Sequence, residues 1–126
     1  MSFNWSEYLI LAQELTSQST ASSIQEAHLR SAISRAYYAS FCEARNLLSN
    51  KDGYQTPFGV NVHLDVADKF EKSIDVTRQN VGSLLHHMRS IRNIVDYRDI
   101  FFGDHLGRTK AILTEAEEVI RLLGTL

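Results

Sequence analysis

The sequence predicts an all-α protein with four main helices and a shorter fifth. Apolar residues recur at spacings of three and four over most of the chain. Val, Ile and Thr never alternate with polar residues over a long stretch, and a single proline is present, so strands have little support. The 126 residues suffice for one core and are too few for two.

The first helix should begin after Asn4, at capping-box spacing from Glu7, with Tyr8, Leu11, Ala12 and Leu15 on one face. The polar run 17–23 ends it. Ser23 with Glu26 repeats the capping signal and opens the longest helix, to about Leu48, with Ile33, Ala36, Tyr37, Ser40, Ala44, Leu47 and Leu48 as its stripe. A second strip, Tyr38, Phe41 and Cys42, is displaced from the first, so this helix must be covered on more than one side, by the bundle interior or by a second subunit. Gly53, Pro57 and Gly59 mark the one long loop. A short helix over 62–72 turns Val66, Ala67 and Phe70 inward. The next runs over 76–97 with Val81, Leu84, Leu85, Met88, Ile91 and Val95 in its stripe, and Gly82 weakens its first turns. After 98–104, the last helix carries Leu106, Ala111, Leu113, Ala116, Ile120 and Leu123 and stops at Gly124.

A formal net charge of -2 argues against a broadly basic nucleic-acid coat, so any RNA contact must be local. The only cysteine, Cys42, has no partner for an intrachain disulfide, which fits a reducing cytoplasm. No basic leader opens the chain and no apolar run approaches the roughly 20 residues of a membrane span, so a soluble, cytoplasmic protein is expected.

Arg89, Arg92 and Asp96 lie three and four apart and share a helix face. On spacing alone an exposed ion-pair ladder is the better reading, worth a few tenths of a kcal/mol. His86 and His87 are adjacent and point about 100° apart, which rules out the usual i, i+4 metal pair; one surface and one partly buried histidine are expected. His63 should make a local hydrogen bond, and His28 has no neighbour at ligand spacing. With one cysteine and no HExxH, no metal site is expected. Tyr37 reads as core packing with a bonded hydroxyl. Arg35 and Tyr38 fit either packing or a cleft contact to phosphate or base. Neither a Gly-rich phosphate loop nor a nucleophilic Ser-His-Asp or Cys-His set is present.

Three segments, RSAISRAYYASFCEARNLL (30–48), HLDVADKF (63–70) and LLHHMRSIRNIVDYRD (84–99), together resemble the HEPN superfamily of small all-helical prokaryotic proteins. The R-x-x-x-D-Y form, here Arg92, Asp96 and Tyr97, looks like a branch of that superfamily which also shares SRAYYA-x-F (34–41) and the His63, Val66, Phe70 spacing. The matches span about two thirds of the chain, whereas each short motif alone would be weak.

The resemblance implies an antiparallel up-and-down four-helix bundle with an additional short helix. It also implies a homodimer whose sites form where two arginine motifs meet. In active HEPN ribonucleases the arginine stabilises the phosphorane-like charge and a histidine five to seven positions on moves the proton of the RNA 2′-hydroxyl, without a metal or cofactor. Arg92 and Asn93 match the opening of that motif, but Tyr97 stands at the histidine position. Tyrosine titrates near 10 and aspartate near 3.9, so Tyr97 and Asp96 are both poorly matched general bases. A minor register, Arg98 and Asp99 with His105, would restore the imidazole if the 99–104 segment folds back.

Arg92, Asp96 and Tyr97 are therefore the candidate reacting residues, with Arg35, Tyr38, Arg89 and Asn93 as candidate RNA or nucleotide contacts. The favoured function is an RNA- or nucleotide-binding, catalytically inactive component of a prokaryotic toxin–antitoxin or defence module, with a nucleotidyltransferase antitoxin as the implied partner. The alternatives are a metal-independent endoribonuclease toxin and a helical scaffold without nucleic-acid contact.

Overall fold

The computed structural model describes residues 2–18 and 24–126. Within them all regular structure is helical: α1 (Glu7–Gln18), α2 (Gln25–Asp52), α3 (Val62–Glu71), α4 (Val76–Tyr97) and α5 (His105–Leu123). The sequence-predicted all-α class, with four longer helices and a short one, is the observed architecture.

Helix α2 is the hub and packs against all four others. Its direction relative to α4 follows from three contacts. Arg30 donates to the carbonyls of Val95 and Arg98, Ser34 meets Asp96, and Tyr37 and Tyr38 lie beside Arg92. Positions rising along α2 meet positions falling along α4, so the pair is antiparallel. Glu26 lies near His105, and Leu47 shares a cavity with Ile120 and Leu123, so α2 and α5 run in the same direction.

Local chemistry sets the helix ends. The Asn61 side chain accepts from the N–H groups of His63 and Leu64 at the start of α3, Asp75 accepts from Arg78 at α4, and Asp104 accepts from Gly107 at α5. At α1 the expected reciprocal box is replaced: the Asn4 side chain accepts from the N–H and hydroxyl of Ser6, and the helix starts at Glu7. Helix α2 extends a turn past Leu48 and ends at Gly53, whose φ of 68° suits a residue without a Cβ. The Ser23 cap lies outside the described residues.

The buried faces follow the predicted stripes with two shifts. In α1, Leu9 is buried with Ala12 while Leu11 is exposed; in α5, Ile112 and Val119 are buried while Ala111 is exposed. Of the second strip of α2, Phe41 and Cys42 are covered from within the chain, whereas Tyr38 is only partly buried. Phe41 and Cys42 are each 4% exposed, and His63 packs 4.3 Å from the Phe41 ring, so neither residue offers a face to a second subunit.

Gly82 has a packing reason to lie inside α4. A Cβ there would sit 2.4 Å from the Glu71 backbone nitrogen and 2.8 Å from the Ala67 carbonyl oxygen, so glycine allows α3 to lie directly on α4. The segment after α4 is fixed rather than loose. Arg30 donates to the carbonyls of Val95, Arg98 and Asp99, Arg108 donates to Phe102, and Phe101 is buried.

Candidate functional site

The inward stripe of α4 runs Val81, Leu85, Met88, Arg92, Val95, so a guanidinium occupies a place that helical spacing reserves for an apolar side chain. Arg92 is only 6% exposed. Its guanidinium carbon lies 5.2 Å from the centre of the Tyr37 ring and 5.5 Å from that of Tyr38, both supplied by α2. These ring faces attract the cation and partly offset its desolvation. Its ion-pair partner among the described residues is Asp96, one turn on, with Oδ2 at 3.5 Å from Nη1; the same oxygen accepts from the Ser34 hydroxyl at 3.3 Å.

That ion pair is too long for a good charge-assisted hydrogen bond, which falls at about 2.7–2.9 Å. The Nε of Arg92 is buried without an acceptor, and so is the Nε of Arg89, three residues earlier on the same face. Two buried guanidinium donors without acceptors are an unusual cost, since an unmade buried hydrogen bond to a charged group is expensive.

Against the two tyrosine rings lies His63, which the sequence places in the family resemblance but not among the candidate site residues. The Tyr37 hydroxyl is hydrogen-bonded to Nδ1 of His63, from α3, at 2.7 Å. Burial lowers the His63 pKa from its ordinary 6.5, and the positive charges of Arg92 and Arg89 lower it further, so the ring is neutral at pH 7. Burial pushes the Tyr37 hydroxyl well above 10, against the opposing pull of Arg92 and Arg89. An uncharged tyrosine–histidine pair therefore underlies the arginines. The signal for His63 was present in the sequence: with Val66, Ala67 and Phe70 it makes the i, i+3, i+4, i+7 inward face of α3.

Of the sequence-predicted residues, the fold gathers Arg92, Arg89, Asp96 and Tyr38. Arg35 lies on the neighbouring turn of α2, its guanidinium 5.0 Å from the centre of the Tyr8 ring, and lines a cavity of about 320 Å³ with Arg30, Ser34 and Asp96. Asn93 is half-buried one step round α4. Tyr97 is not gathered in. Five residues from Arg92 it is turned about 140° round the helix, and it is 75% exposed.

In the minor register, no hydrogen bond or ion pair among the described residues joins Arg98 to His105. His105 bonds the Phe101 carbonyl, stacks on the Phe101 ring and lies 3.5 Å from Glu26. Of the adjacent histidines, His87 is on the surface against Glu115 and His86 is partly buried against Asp68. No group of three His, Cys, Asp or Glu among the described residues could hold a metal ion. No helix among them is long and apolar enough to cross a membrane.

The arrangement offers fixed, desolvated cationic donors backed by aromatic rings, the Asp96 carboxylate at their edge and a neutral imidazole against the rings. Its natural complement is an oxyanion with several acceptor oxygens. Comparison of the chain with protein-family profiles, with curated proteins and with solved structures gives no match.

Proposed function

We propose that the protein binds the phosphate of RNA or of a nucleotide through Arg92, with Arg89 beside it. The observation that supports this is the buried Arg92 guanidinium, stacked on Tyr37 and Tyr38 and keeping an Nε donor without an acceptor. An exposed ion-pair ladder would leave Arg92 in water, and a purely structural buried arginine would have its donors filled. The wider setting, a homodimeric component of a prokaryotic toxin–antitoxin or defence module with a nucleotidyltransferase partner, rests on the HEPN resemblance of segments 30–48, 63–70 and 84–99.

The test is fluorescence anisotropy with a labelled single-stranded RNA. Arg92→Ala is expected to weaken binding by about 1–3 kcal/mol, the loss of one charge-assisted contact. Unchanged affinity would remove the proposal and leave the scaffold reading.

A second reading, metal-independent RNA cleavage, is favoured by one specific observation: the His63 imidazole, its pKa lowered by burial and by the arginine charges, is hydrogen-bonded to Tyr37, whose ring lies against the Arg92 guanidinium. It predicts RNA cleavage that persists in EDTA and disappears in His63→Gln. Absence of cleavage in the wild type leaves the binding component alone.

A further inference from the structure

Beyond Tyr38 an open groove of about 510 Å³ crosses the middle of α2, a volume in the range of small-ligand sites. Its walls carry Trp5 and Tyr8 from the start of the chain, Arg35, Tyr38 and Arg45 from α2, and His63 from α3. No carboxylate lines it, in a protein whose acidic residues outnumber its lysines and arginines by 15 to 13.

Neither arginine is spent on an ion pair among the described residues. Arg45 lies 5.8 Å from the centre of the Trp5 ring and 6.0 Å from that of Phe41, bonding only the Asn46 amide oxygen; Arg35 lies on Tyr8. The groove thus combines flat rings with unneutralised positive charge. A nucleotide has the complementary chemistry, a flat base and a negative phosphate. The groove is also continuous with the arginine cluster, because Tyr38 lines it and lies 5.5 Å from the Arg92 guanidinium.

We propose that this groove holds a nucleobase of single-stranded RNA against Trp5, Tyr8 and Tyr38, next to the phosphate at Arg92, with Arg35 and Arg45 taking the flanking phosphates. The inference rests on the Arg92 reading and adds a base subsite to it. Recognition through ring faces is tolerant of base identity, so the subsite selects unpaired strands over duplexes rather than one sequence.

Trp5 is the only tryptophan in the chain, so its fluorescence reports on this groove alone. A short oligouridylate and an abasic ribose-phosphate chain of equal length are titrated against the wild-type protein, with anisotropy and Trp5 emission read together. The expected result is quenching of Trp5 by the oligouridylate at the midpoint of its binding curve, no quenching by the abasic chain, and about tenfold or greater preference for the oligouridylate. Tyr38→Ala and Arg45→Gln, each checked for a native melt, should lower that preference. Equal affinity for both chains with unchanged Trp5 emission would overturn the base subsite while leaving phosphate binding at Arg92 intact. Binding of neither chain would overturn both.

Discussion

Arg92 is the residue whose environment is hardest to explain by stability alone. A cation in the core stripe of α4 replaces what could be a methionine or leucine, and its partner Asp96 keeps access to water, so an apolar side chain of similar volume at position 92 removes a desolvated charge without stranding a buried one. Arg92→Met should therefore keep or raise the melting temperature while losing RNA binding; a fall in melting temperature of several degrees would make the arginine a structural residue. His63 gives a second prediction at this scale. Its folded pKa lies below the unfolded 6.5, so the unfolded chain binds more protons across that interval. Its contribution to stability is fully present above pH 6.5 and is lost as pH falls through the lowered value. Denaturant melts from pH 7.5 to 5 should show stability declining below about 6.5, and His63→Gln should flatten that decline. An unchanged slope in the variant would mean that other groups set it.

At the scale of elements, α3 against α4 is the most specific contact, and Gly82 tests it. Alanine in a helix interior is normally favoured over glycine by about 1 kcal/mol. Here its Cβ would meet the Glu71 and Ala67 backbone, so Gly82→Ala should destabilise the protein by about 1–3 kcal/mol, as overpacking does, in a urea melt. A stabilised variant would contradict the packing. The extent of α4 was legible from its apolar stripe, which recurs at helical spacing from Val81 to Val95. The face of α1 was less so: Leu9, Ile10 and Leu11 are consecutive, and such a run gives periodicity no contrast between buried and exposed. Ala111 beside Ile112 misled for the same reason. The Tyr37–His63 bond spans 26 residues and joins two helices, so no local pattern encodes it. Arg92 was legible as a motif residue, whereas its burial depended on how α2 brings two tyrosine rings across α4.

At the scale of the molecule, a slightly acidic chain concentrates Arg35, Arg45, Arg89 and Arg92 around one stretch of α2, so binding should be local and saturable rather than a coating of the surface. For the proposed homodimer, the apolar surface left exposed near the site is Tyr97, Ile100 and Phe102 at the end of α4. Light scattering is expected to give a dimer mass, and a monomer at every concentration would remove that assembly. Chelator should change neither the melting temperature nor RNA affinity, and a clear loss of either would reveal a metal. The most direct test of the account is the salt dependence of single-stranded RNA binding in the wild type and in Arg92→Ala. Loss of one phosphate contact should lower affinity at every salt concentration and reduce the slope of log K against log salt by about 0.7. Identical affinity and slope in the two proteins would contradict a phosphate at Arg92.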